Sequence, residues 1–248
     1  PCDINAMKVQ ARIYAGNGGY TDMYYERMKE LAKYILMPCN GGDDTCFCVS
    51  MGTNTTDEYS VAVKPTEDGM LFEVKDEDLA AYFADAAAAD FAPEFVQENE
   101  LTAVIPEIPD REVLNALKKH DVWKQFNGRC ISCGACTLAC STCTCFTTRD
   151  VIYGDNPEVG ERRRVSASCQ IDDFAKVAGG GNYRLTAGDR MRYKMLHKFH
   201  DYDARFHEGH MCVGCGRCTS RCPEFISITT TLKKMNDAVE EIKKELGK

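Results

Sequence analysis

From Ser60 to Lys64, and again from Met70 to Lys75, apolar and polar side chains alternate with a period of two, and Asp68-Gly69 lies between the two stretches. That pattern predicts two strands joined by a tight turn. Lys33 to Met37 is a short apolar run that predicts a buried strand, with Gly41-Gly42-Asp43-Asp44 as the loop behind it. Elsewhere the spacing is helical. Tyr24 to Ile35 predicts one helix, and the acidic, alanine-rich stretch Asp76 to Ala89 another, its carboxylates on a solvated face. Pro106 and Pro109 punctuate the chain, and Asp110 is placed to N-cap a helix running through Trp123 and Phe126. At the end, Leu232, Met235, Val239, Ile242 and Leu246 recur at helical spacing among Lys and Glu, which predicts an amphipathic terminal helix. The expected class is α+β, with a mixed α/β domain over residues 1–108 and a second domain over 109–248 with a helical C-terminus.

Composition narrows the function. The chain has 248 residues, 44% of them hydrophobic, enough to bury a core and too many for a disordered tail. The alanine-rich run from Leu79 to Ala92 is interrupted by Asp85 and Asp90, so it cannot span a bilayer, and no membrane partner is expected. The net charge of -8, without a long Lys/Arg block, argues against nucleic acid, with the short run Arg162-Arg163-Arg164 as a separate question.

Cysteine changes the picture most. There are 15, and they are set in tight local groups rather than as the framework of a short secreted domain. Two groups share one spacing, Cys130-x2-Cys133-x2-Cys136-x3-Cys140 and Cys212-x2-Cys215-x2-Cys218-x3-Cys222, the second followed by Pro223. This is the bacterial ferredoxin run given twice, and it predicts two [4Fe-4S] clusters in a ferredoxin-like domain. Three closely spaced thiolates wind a loop around one cube, and Gly134, Gly214 and Gly216 let backbone amides approach the sulfurs. In two-cluster ferredoxins the fourth cysteine of each run ligates the other cluster. Applied here, one cluster takes Cys130, Cys133, Cys136 and Cys222, and the other Cys212, Cys215, Cys218 and Cys140. The first run has Ser141 where the second has Pro223, a shape residue and not a ligand. Cys143, Cys145 and the isolated Cys169 are expected to pack as small buried hydrophobes.

A further group lies near the start, with Cys39, Cys46 and Cys48 at one strand end and Cys2 upstream. From spacing, an iron-sulfur cluster, a four-thiolate zinc site and a set of buried thiols all remain open. Residues 141–211 form a long insertion between the two runs. Its Gly179-Gly180-Gly181, like Gly16-Asn17-Gly18-Gly19, is no GxGxxG and follows no strand, so no dinucleotide site is expected. Its basic residues Arg184, Arg190, Arg192, Lys194, His197 and Lys198 read first as an ordinary charged face, with contact to cluster sulfur or to a partner's acidic rim as alternatives. The histidines show no zinc spacing.

Three N-terminal stretches carry a resemblance: Pro1-Cys2-Asp3, Ile35-Leu36-Met37-Pro38-Cys39, and Cys46-Phe47-Cys48-Val49-Ser50-Met51-Gly52-Thr53-Asn54. With Cys140-Ser141-Thr142-Cys143-Thr144-Cys145-Phe146, Gly188-Asp189-Arg190-Met191-Arg192-Tyr193-Lys194 and Met211-Cys212-Val213-Gly214-Cys215-Gly216-Arg217-Cys218, the chain resembles the iron-sulfur electron-transfer subunit of anaerobic sulfite reductase nearly from end to end. The beta subunit of cytoplasmic hydrogenases, the sulfhydrogenases, carries similar features. The resemblance implies a third iron-sulfur centre on Cys2, Cys39, Cys46 and Cys48, a further N-terminal region before Pro1, and a cytoplasmic location. It implies an electron relay without a catalytic residue of its own. A flavin-bearing subunit that oxidises NAD(P)H would feed electrons singly through this chain to a sirohaem catalytic subunit, where sulfite is reduced to sulfide. The alternatives are the same relay joined to a nickel-iron hydrogenase subunit, and a zinc-binding interaction protein without a redox role.

Overall fold

The computed structural model describes residues 1–248. The chain divides into two compact units, residues 1–103 with 211–216, and residues 104–210 with 217–248. No helix is long and apolar enough to cross a membrane.

The first unit begins with a helix that periodicity did not announce, α1 (Cys2–Tyr14), which buries Ile4, Ala6 and Val9. Helix α2 (Met23–Leu31) starts where the Asp22 carboxylate accepts from the amides of Tyr24 (3.1 Å) and Tyr25 (3.0 Å). It stops short of the expected Ile35 because Ile35 and Leu36 form strand β1 (Ile35–Leu36). β1 runs parallel to β2 (Val61–Thr66), pairing Ile35 with Val61 and Leu36 with Ala62. β2 turns back antiparallel into β3 (Gly69–Val74), from Thr66↔Gly69 to Val61↔Val74, the hairpin expected from the alternation. β1 is not buried throughout: Leu36 is 1% exposed and Ile35 64%, so one strand face meets the core and the other solvent. Ile4, Leu36 and Ala62 form that core, with Tyr34, Tyr59, Phe91 and Phe95 packed on it. The helix expected from Asp76 to Ala89 is cut to α3 (Glu77–Ala80) and one 3-10 turn, Ala81–Phe83. Alanine supplies propensity but almost no side chain to bury, and a solvent-exposed segment gains too little from packing to hold a longer helix.

In the second unit Asp110 caps α4 (Arg111–Lys119), accepting from Glu112 N (2.9 Å) and Val113 N (3.0 Å). The single helix expected through Trp123 and Phe126 breaks there. His120 Nδ1 accepts from Val122 N at 3.1 Å and starts a 3-10 turn over Asp121–Trp123, and α5 (Phe126–Arg129) follows. Trp123 is buried with its indole N–H on Leu117 O at 2.7 Å. After α6 (Ala135–Leu138) come β4 (Phe146–Ile152) and β5 (Gly160–Ser166), an exposed antiparallel hairpin. The arginine run lies on β5. Arg162 meets Asp150 at 2.6 Å, Arg163 pairs with Glu161, and the Arg164 guanidinium sits 4.6 Å from the centre of the Phe146 ring, so the hairpin partners its own cations. A Thr186–Asp189 capping box opens α7 (Ala187–Leu196), which continues through a π-helical turn, His197–Asp201, into α8 (Tyr202–Phe206). Short α9 (Arg217–Ser220) precedes the terminal helix α10 (Ile228–Leu246), which lies against α4. α10 buries Leu232, Met235, Val239 and Ile242 of the predicted stripe and leaves Leu246 at its frayed end partly exposed.

Candidate metal centres

In the second unit, Cys130, Cys133 and Cys136 of the first run line one hollow together with Cys218 and Cys222 of the second run. The hollow encloses about 430 Å³, part of it open to solvent, and its other walls are mainly Ile131, Met191, Pro223, Ile226 and Ile228. Chain winding puts the thiols there. Ser132 (φ +58°) and Gly134 (φ +77°) are left-handed, so the backbone reverses twice between Cys130 and Cys136. A Cβ on Gly134 would lie 2.9 Å from Ser168 Oγ and 3.0 Å from Ile171 Cγ1, so this position takes glycine on grounds of space as well as conformation. Ser168 also meets the Thr137 hydroxyl, and Arg190 Nη2 donates to Ser132 Oγ at 2.7 Å, which ties the loop down at both ends. Cys222 Sγ accepts from Ile226 N at 3.4 Å, an amide-to-sulfur bond of the kind that steadies a thiolate.

The second run repeats this winding, with Gly214 (φ +64°) and Gly216 (φ +70°) at the positions of Ser132 and Gly134. The stretch 211–216 belongs to the first unit, where it lies backbone to backbone on residues 45–48. Phe47 N donates to Gly214 O at 2.8 Å, and Thr53 Oγ1 to Val213 O at 2.6 Å. Cys212 Sγ accepts from Gly214 N at 3.4 Å. Cys212 and Cys215 fall in the first unit, and Cys140 and Cys218 in the second.

Cys2, Cys39, Cys46 and Cys48 all fall in the first unit. Burial pushes the Cys46 and Cys48 thiols above the ordinary range; the negative charge of Cys2 adds to this at both, and that of Cys39 at Cys48. Cys46 Sγ accepts from Asp43 N at 3.3 Å, and Cys48 Sγ lies 3.6 Å from Asn99 Oδ1, which also accepts from Val49 N at 2.8 Å. Cys39 is fixed by a bridge to Phe95, with Val96 N on Cys39 O at 2.6 Å. No three His, Cys, Asp or Glu side chains anywhere in the molecule gather closely enough to grip a single metal ion. The thiols of the first run ring a space instead.

Two expectations are corrected. Cys169 is buried as expected but does not stand alone: Cys143, Cys145 and Cys169 gather closely enough for each to influence the others' protons. That mutual influence, with Lys198 near Cys143 and with Gln170 and Lys194 near Cys169, holds Cys143 and Cys169 at about 6 and drives the proton onto Cys145, whose thiol is pushed far up. Chain separation hid this, since Ala167 N bonds Cys145 O across the β4–β5 hairpin and so returns residue 169 to residue 145.

Nor are the basic residues of α7 a charged face. Arg190, Lys194 and Lys198 are only 4%, 3% and 7% exposed. Arg190 pairs with Asp172 at 2.5 Å, Lys198 Nζ lies 2.8 Å from Thr142 Oγ1 and 3.4 Å from Cys140 Sγ, and Lys194 lines the same hollow as Cys136. Burial pushes the Cys136 thiol up, against the pull of Lys194. At Cys140 the opposing pull of Lys198 and of Thr142 outweighs burial and leaves the thiol below its ordinary range. A signal was present: Met191, Lys194, Met195, Lys198 and Tyr202 occupy one helical stripe, so both lysines sit at core positions.

A family model described as a 4Fe-4S dicluster domain matches residues 129–226. The chain is similar to subunit beta of sulfhydrogenase 2 of Pyrococcus furiosus, with 29% identity over 254 residues, 96% of this chain and 72% of the relative. No solved structure gives a significant match. Residues 129–226 contain both four-cysteine runs, and five of those eight cysteines, Cys130, Cys133, Cys136, Cys218 and Cys222, line the hollow.

Proposed function

We propose that this chain is an iron-sulfur electron-transfer subunit of a multisubunit oxidoreductase. The observation that carries the reading is the hollow that Cys130, Cys133 and Cys136 line together with Cys218 and Cys222, which brings thiols of the two runs together; the crossed sets of two-cluster ferredoxins are proposed from the spacing. A [4Fe-4S] cluster held there supplies reversible one-electron chemistry. The residues of this chain do the rest. Four thiols bind, left-handed Ser132 and Gly134 aim them, buried Met191, Ile226 and Ile228 keep water from that wall, and Ile226 N steadies the Cys222 sulfur. The second set is Cys212, Cys215, Cys218 and Cys140, proposed from the spacing. Cys2, Cys39, Cys46 and Cys48 are proposed as ligands of a third centre from the resemblance, supported by their falling in one unit.

The likeness to a sulfhydrogenase subunit beta favours a hydrogenase-type assembly over the sulfite reductase assembly with its flavin and sirohaem subunits. The test is anaerobic isolation of the native assembly with every subunit identified by mass spectrometry. A hydrogenase catalytic subunit in stoichiometric amount is the expected result. A sirohaem subunit in its place would overturn the hydrogenase reading and restore the sulfite reductase one.

A further inference from the structure

A buried ammonium is costly unless an opposite charge or several acceptors compensate it, and an isolated buried lysine gives up its proton. Lys194 is 3% exposed and lines the hollow formed by Cys130, Cys133, Cys136, Cys218 and Cys222, so the groups it faces there include five sulfurs. No carboxylate lies within ion-pair distance of it. Buried Arg190, on the same helix, has Asp172 and two carbonyls, from Arg184 (3.2 Å) and Leu185 (3.1 Å). Lys198, one turn beyond Lys194, reaches Cys140 and Thr142. Helix α7 and its π-helical turn thus present two cations, four residues apart, to thiols of the ferredoxin runs. Lys194 lines the same hollow as Cys130, Cys133, Cys136 and Cys222.

We propose that Lys194 is a positioning residue that sets the redox level of the centre held by Cys130, Cys133, Cys136 and Cys222, its positive charge favouring the form that carries the extra electron. The inference rests on the iron-sulfur reading above. Each thiolate adds a negative charge to the site and the incoming electron adds one more, so a buried cation alongside stabilises the reduced form more than the oxidised one. Net charge and burial are among the protein's means of tuning such a potential, and Lys194 engages both. Its removal leaves ligand number and loop winding as they are.

The experiment is an EPR-monitored redox titration of the full-length protein, isolated anaerobically, with iron and acid-labile sulfide measured on the same samples. The parent is compared with Lys194→Met, Lys194→Gln and Lys194→Arg, and the centre concerned is the one that Cys222→Ser perturbs. The expected result is parental iron and sulfide in all three. The neutral variants should show at least a tenfold shift of that centre's equilibrium toward the oxidised form, about 59 mV lower in potential for one electron, while Lys194→Arg stays near the parent. Neutral variants with full iron and an unchanged potential would overturn the proposal and leave the iron-sulfur reading standing. Loss of the centre from both neutral variants would also overturn it, making Lys194 a requirement of assembly. A parent without iron and sulfide would overturn the underlying reading itself.

Discussion

Gly216→Ala is the sharpest probe of how the second cysteine run is held. Its φ of +70° is left-handed, where an alanine costs about 1–2 kcal/mol. The new Cβ would stand 2.4 Å from Thr45 O and 2.5 Å from Thr45 C, both main-chain atoms that cannot swing aside. The two backbones must separate, which endangers the Phe47 N–H to Gly214 O bond (2.8 Å) two residues away. Losing that bond with Phe47 buried adds about 1–3 kcal/mol, so the total is about 2–5 kcal/mol. At an ordinary denaturant slope this moves the urea midpoint of the first unit down by more than about 1 M. The control is Gly41→Ala in the same unit, which has nothing within 4 Å of the added carbon and no left-handed φ. Urea unfolding followed by circular dichroism, with iron measured on the same samples, checks the expectation. A Gly216→Ala protein with the control's midpoint and full iron would refute the packing argument.

Three further predictions concern the site and its surroundings. Cys222→Ser should alter the EPR signal of the centre held by Cys130, Cys133 and Cys136; a change confined to the other cluster would contradict crossed ligation. The double variant Cys46→Ser, Cys48→Ser should lose about one cluster's worth of iron, roughly four atoms, and unchanged iron would make these thiols packing residues. His197, stacked on Tyr193 with ring centres 5.3 Å apart, has its pKa lowered by burial and then by Lys198, with Asp201 opposing. Because the unfolded chain protonates first, its contribution to stability is intact above an ordinary histidine pKa of about 6.5 and is lost as pH falls through the lower folded value. His197→Phe should flatten the fall in urea midpoint between pH 7.5 and pH 5, and identical slopes would show that His197 does not cause it.

What was legible in the sequence is what local patterning controls. The β2–β3 hairpin, the Asp22-to-Leu31 helix in its main part, the Asp110 cap and the α10 stripe follow from period and capping chemistry. The cysteine runs were readable because cluster ligation imposes a fixed spacing. Patterning failed where tertiary contact decides. The helix read through Ile35 ends at Leu31, where the strand read over Lys33 to Met37 takes over and pairs Ile35 and Leu36 with Val61 and Ala62, and the alanine run loses its helix for want of a face to bury. The meeting of Cys143, Cys145 and Cys169 depends on a hairpin whose strands are almost wholly exposed and so carry no hydrophobic alternation. The lysines of α7 were misjudged for another reason. A charge is placed on the surface by default, and the thiols that make burial tolerable for Lys194 lie on other segments, with Cys136 far upstream and Cys218 downstream.

The most direct measurement is iron, zinc and acid-labile sulfide on the anaerobically isolated protein. The account predicts a brown protein with about eight irons or more, matched by sulfide, and little zinc. Stoichiometric zinc without sulfide would contradict it.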